Sequence, residues 1–167
     1  YRNTGGVTNV LTIDGGTNFT GSKTLYVDGD VWINSNIEYA PWANIDTIPV
    51  FRLIVKGNIY ISPNVTRIDG MLVAQPNAGA KGLISTCANS DGSNANLASN
   101  GTIGECASKL VFNGAIVAQR VKWLRTFKTL SDAKNSGREP YNDSNAAEII
   151  NTSPDFYLGI PADPPTG

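Results

Sequence analysis

The pattern Φ-x-Φ-x-Gly-x-Φ-x-Φ, in which Φ is mostly apolar, recurs about five times and restricts what this chain can fold into. Its copies are Leu11, Ile13, Gly15, Thr17, Phe19, then Leu25, Val27, Gly29, Val31, Ile33, then Leu53, Val55, Gly57, Ile59, Ile61. Two more are Thr66, Ile68, Gly70, Leu72, Ala74 and Leu110, Phe112, Gly114, Ile116, Ala118. A shorter echo, GLISTC, stands at 82–87, and VKWLRTF at 121–127 alternates in the same way. A period of two with many β-branched residues predicts strands that bury one side. A glycine in mid-run predicts a bend or bulge, where a Cβ would be in the way.

The spacing of the glycines decides between architectures. The steps from Gly15 to Gly29 and from Gly57 to Gly70 are too short for a full turn of a solenoid and suit two successive faces of one coil. The steps from Gly29 to Gly57 and from Gly57 to Gly82 are longer and suit whole coils. An internal repeat of short strands with irregular inserts predicts an all-β, short right-handed parallel β-helix of about three coils. Like positions then stack about 4.8 Å apart. Val27 falls beside Val55, Val31 beside Ile59, Ile33 beside Ile61, Trp32 beside Tyr60 and Asp28 beside Lys56. The alternative is a β-sandwich built from antiparallel hairpins.

Residues 35–50 break the rhythm, since Pro41 and Pro49 exclude a regular central strand. They are read as an insertion or a third, irregular side of a coil. From about 131 the chain turns polar; AAEII at 146–150 reads as a helical turn or a short strand, and the tail as cover for the outer face or a cap. Residues 1–160 are read as one domain and 161–167 as the start of a Pro-rich linker or tail.

Charged residues make up only 16% of the 167, well below the roughly 25% of an ordinary globular domain. Asn, Ser, Thr and Gly take their place, which is the surface chemistry of an extracellular β-rich protein. A net charge of −1 disfavours nucleic acid and anionic membranes as partners. No apolar stretch is long enough to span a bilayer, so no membrane contact by this fragment is expected.

Cys87 and Cys106 bracket a polar, Gly- and Asn-rich insert. A disulfide there would close the loop, stabilise by roughly 3 kcal/mol and imply an oxidising compartment; two buried free thiols are the other reading. With two cysteines and no histidine, no metal site and no cofactor is expected.

Four aromatics are candidates for contact with a ligand or partner: Trp32, Tyr60, Trp42 and Tyr26. Exposed in a row they would stack sugar rings or a partner protein; covered by Phe156, Tyr157 and Leu158 of the tail they would be structural. Asp28, Asp30 and Asp69 sit beside glycines and read as turn and ladder residues. Arg67, Arg120, Lys122 and Arg125 read as surface charges along strands. Without histidine or a motif joining these groups, no catalytic residue is assigned and the domain is read as no enzyme.

LIVKGNIYISPNVTRIDGMLVAQ, GLISTC, KLVFNGAIVAQRVKWLRTF and AAEIINTSPDFYL together resemble the short β-helix surface domains of pilus-associated, pilin-like bacterial proteins. The V-x-G-x-I-x-I strands also resemble those of bactofilins. The resemblance spans roughly residues 24–160 and implies an exported structural or adhesive module, located extracellularly or on the cell surface. Its implied partner is a surface or pilus protein or a glycan. Residues 35–50 and 88–105 are the expected contact regions, with a glycan-binding module or a polysaccharide-acting enzyme as the remaining alternatives.

Overall fold

The computed structural model describes residues 10–79, 81–95, 104–126 and 146–153, and these are all-β apart from two short 3-10 turns. Their strands are β1 (Leu11–Ile13), β2 (Ser22–Asp28), β3 (Val31–Ile33), β4 (Val50–Lys56) and β5 (Ile59–Ile61). There follow β6 (Arg67–Gln75), β7 (Leu83–Ser85), β8 (Leu110–Ala118), β9 (Arg120–Lys122) and β10 (Glu148–Asn151). Even-numbered strands form one five-stranded sheet in the order β10-β8-β6-β4-β2, and odd-numbered strands form another, β1-β3-β5-β7-β9. Successive strands therefore alternate between the sheets, and every ladder joining them is parallel. The antiparallel hairpins of a sandwich are not the pairing found among these strands.

The register follows the glycine frame at Gly29, Gly57 and Gly82. Residues before Gly15 instead pair with residues after Gly29 (Leu11 with Val31), and residues after Gly70 pair with residues before Gly57 (Leu72 with Leu53). Val27 lies opposite Val55 and Asp28 opposite Lys56. Val31 faces Ile59, Trp32 faces Tyr60 and Ile33 faces Ile61. Ile59 pairs with Ile84, which keeps the expected step from Gly57 to Gly82. Alternation sends Val27, Leu53, Val55, Leu72 and Ala74 of one sheet and Val31, Ile33, Ile59, Ile61 and Ile84 of the other into one apolar core. Each fully buried aliphatic there stabilises by about 1.5–3 kcal/mol relative to an exposed one.

β6 and β8 are the longest strands, and each carries a glycine at positive φ: +131° at Gly70 and +146° at Gly114. The two glycines are register partners. A Cβ on Gly114 would overlap the carbonyl of Gly70, so the bend and the close approach both exclude a side chain. After Gly70, residues Met71–Gln75 pair with Arg52–Lys56 of β4. Before it, Ile68 bridges to Ile37, and Phe19 bridges to Tyr39. Residues 35–50 thus contribute isolated bridges and the 3-10 turn Ile45–Thr47, and a regular strand begins only at Val50. Thr66, expected inside, is exposed, because the inward run of β6 begins at Ile68. Of the two readings of 146–150 the short strand is the one found: β10, Glu148–Asn151, extends the sheet beside β8.

Arg125 overturns its assignment to the surface. β9 ends at Lys122, and the chain then turns inward so that Arg125 is 6% exposed. Its guanidinium donates to four carbonyls, those of Thr86 (2.7 Å), Pro63 (2.7 Å), Ser62 (2.8 Å) and Val65 (2.9 Å). Burial pushes its pKa down to about 10, partly offset by the nearby Glu148 carboxylate, so it stays cationic at neutral pH. Glu148 in turn accepts from the N–H groups of Leu124 and Arg125 and from the Thr86 hydroxyl. This network ties β10 to the turns after β5, β7 and β9.

Cys87 and Cys106 form a disulfide, with Cα atoms 5.8 Å apart. Both are buried with Ala95, and Leu124 packs against them. The residues expected to form a linker, 161–167, and the tail aromatics Phe156, Tyr157 and Leu158 lie outside the described residues, as does part of the disulfide-closed loop.

Candidate functional site

The four aromatics read from the sequence do not form one row. Trp32 and Tyr60 are register partners on the outward side of the odd-numbered sheet. The segment leaving Cys87 folds over them. The Trp32 indole N–H donates to the Ala88 carbonyl at 3.3 Å, and a side chain on Gly92 would strike the Tyr60 ring at 2.7 Å. The Tyr60 hydroxyl donates to Asp30 and accepts from Asn58. Burial, followed by the Asp30 charge, raises its pKa above the usual 10.0. The described cover over these two rings therefore comes from the disulfide-closed loop. Tyr26, in β2 of the other sheet, is 63% exposed, and Trp42, between β3 and β4, is 43% exposed.

Trp42 borders a cleft of about 430 Å³, which it shares with Tyr39, Arg67, Asp69 and Asn113. The strands place these groups by parity. In β6, Ile68 points into the core, so Arg67 and Asp69 point out on either side of it. Asp69 is the register partner of Asn113, and Asn113 that of Asn151. A polar column results: Asn151 Nδ2 donates to Asn113 Oδ1 at 2.9 Å, and Asn113 Nδ2 donates to Asp69 Oδ1 at 2.7 Å.

Arg67 grips the same carboxylate with two bonds of 2.9 Å, Nε to Oδ1 and Nη2 to Oδ2. The Tyr39 N–H donates to Asp69 Oδ2 at 2.8 Å. Four donors thus converge on the Asp69 carboxylate, whose side chain is 3% exposed, whereas that of Arg67 is 46% exposed. Hydrogen bonding to Asp69 raises the Arg67 pKa, offset by partial burial and helped by the charges of Asp69 and Glu38. Asp69 has its lone pairs filled and acts as an anchor. The Arg67 side chain lines the cleft and is half-exposed there, with Nε and Nη2 turned to Asp69. Tyr39 is itself fixed: its hydroxyl accepts the Phe51 N–H at 2.7 Å, and its ring stacks on Phe19 with centroids 5.9 Å apart.

The other carboxylates keep separate company. Asp30 accepts from the Asn58 N–H and Nδ2 and from Tyr60, and Asp28 sits level with Lys56 and Gln75 along the ladder. Asn113 was not singled out by sequence, although it stands at the same offset from Gly114 as Asp69 does from Gly70. Aligning the repeats on their glycines would have found it.

Among the described residues no group of three or more His, Cys, Asp or Glu is placed to hold a metal, and no helix is long and apolar enough to cross a membrane. Comparisons with protein-family models, with curated proteins and with solved structures found no match.

Proposed function

We propose that the chain is a parallel β-solenoid whose role is structural and adhesive: an extracellular module of a bacterial cell-surface or pilus-associated protein that presents its connections from a stiff frame. The observation that carries this reading is the disulfide. Cys87–Cys106 ties the long connection between β7 and β8 onto the sheets, and such a bond persists in oxidising compartments. The alternation of strands between two parallel sheets supports the solenoid, since each pass adds one rung to both. A low share of charged residues and the resemblance to pilus-associated β-helix domains support the surface location.

Function in this reading resides in the connections, because loops on a rigid scaffold are where contacts are made. The test is labelling of intact cells of the source organism with an antibody raised against the domain. Labelling before permeabilisation is expected. Labelling that requires permeabilisation would overturn the surface reading.

A further inference from the structure

We propose that the cleft between Trp42 and the Arg67–Asp69–Asn113 column is a binding site for a neutral saccharide. Three features of the cleft select that class. The first is the wall. Trp42 presents a large aromatic surface on a connection pinned at Tyr39, and the apolar C–H face of a pyranose ring suits an aromatic of this kind.

The second feature is preorganised polarity. Arg67 is held in plane by its two bonds to Asp69, and Asp69 is held by Asn113 and Tyr39. The guanidinium that lines the cleft is therefore fixed before a ligand arrives, which reduces the entropy lost on binding. Asp69 is saturated, so a ligand must bring acceptors to Arg67; hydroxyl oxygens do this.

The third feature is charge. The Arg67 cation is balanced by the Asp69 it touches, and Glu38 lies near enough to act on it as well. A carboxylate or phosphate ligand would meet this acidic surplus, whereas a neutral polyol would not. The volume, about 430 Å³, lies within the roughly 300–1,000 Å³ of small-molecule sites. Trp42 and Arg67 are both part-exposed, so the cleft is open to solvent, as recognition of one unit in a longer chain requires.

The inference rests on the adhesive reading above and names its ligand. Surface labelling tests that reading and saccharide binding tests this one, so either can fail while the other stands.

The experiment screens the purified, disulfide-intact chain against an immobilised array of neutral and acidic oligosaccharides. Soluble members of the best class are then titrated against tryptophan fluorescence. Saturable binding of a neutral saccharide is expected. Trp42→Ala should weaken it about tenfold, through loss of the stacking face. Arg67→Lys keeps a cation beside Asp69 but loses the planar fork, and should also weaken binding. Trp42→Ala should retain the far-UV circular dichroism spectrum and melting temperature of the parent. Arg67→Lys, which takes bonds from the buried Asp69, should retain the spectrum with a lower melting temperature, and binding measured well below that temperature separates loss of the site from loss of the fold. Absence of any neutral hit, a preference for acidic glycans, or undiminished binding by Trp42→Ala would each overturn the proposal.

Discussion

Replacing Arg125 with methionine keeps an apolar stem and removes the guanidinium from four carbonyls at once. The cost follows from what each carbonyl retains. Ser62 O still accepts the Val65 N–H at 3.1 Å, and Pro63 is partly exposed, so water can replace its lost partner. The Val65 and Thr86 carbonyls lose their arginine donor in buried surroundings. Each buried acceptor stripped of a partner costs about 1–3 kcal/mol, so the two together cost about 2–6 kcal/mol. Relief of the desolvation that lowers the Arg125 pKa returns part of this, leaving a net loss of about 3 kcal/mol. Urea unfolding of the oxidised chain, followed by circular dichroism, reads this as a midpoint lower by roughly 1–2 M at unchanged slope. Arg125→Lys, with three donors and no plane, should fall in between. Arg120→Ala, at an exposed site, should stay within about 0.5 kcal/mol of the parent. An Arg125→Met loss no larger than that of Arg120→Ala would refute the view of this side chain as a staple between turns.

Three further outcomes are expected. Gly114→Ala should destabilise by about 2–5 kcal/mol in the same urea unfolding assay, from positive φ and overlap with the Gly70 carbonyl; Gly79→Ala, with nothing within 4 Å, should be near neutral there. Cys87→Ser with Cys106→Ser should lower stability by about 3 kcal/mol, since the bond closes a loop of separation 19, and denaturant titration of both forms measures it. Because folding raises the Tyr60 pKa above 10.0, the unfolded chain loses that proton first as pH rises, and the Tyr60 contribution to stability declines above about pH 10. The stability difference between the parent and Tyr60→Phe should therefore shrink above that pH, and a constant difference in urea midpoints would contradict it.

The glycine frame at Gly29 and Gly57 makes the middle of the ladder legible in the sequence itself. Parity around Gly29 and Gly57 placed Val27, Val31 and Ile33 against Val55, Ile59 and Ile61, and put Trp32 beside Tyr60. Parity says which side of a sheet a residue faces but not what lies on top of it. Tyr60 points away from the core and is still buried, because the segment after Cys87 returns over it. Asp69 is buried from outside by Tyr39 and Arg67, which reach it from a different stretch of chain and from its own strand. Arg125 was hidden for another reason. Alternation in VKWLRTF continues past the point where β9 stops, so the pattern gave no warning that the chain turns inward there. The cleft needed long-range placement: Trp42 and Asn113 are distant in sequence and meet only because the strands stack.

The connections between strands differ greatly in length, yet the ladders do not notice. Lys56 and Gln75 are register partners, and so are Gly70 and Gly114, although the second pair is separated by far more chain than the first. Loop closure adds only about 0.6 kcal/mol for each doubling of length, so extra residues in an arc cost the frame little. Insertion and deletion, more than point substitution, become the natural mode of change in such a chain. An arc such as 40–46, between the bridge at Tyr39 and the buried Ile48, can be shortened, lengthened or exchanged while the strands beneath it hold their pairing, which makes the domain a ready host for grafted recognition loops.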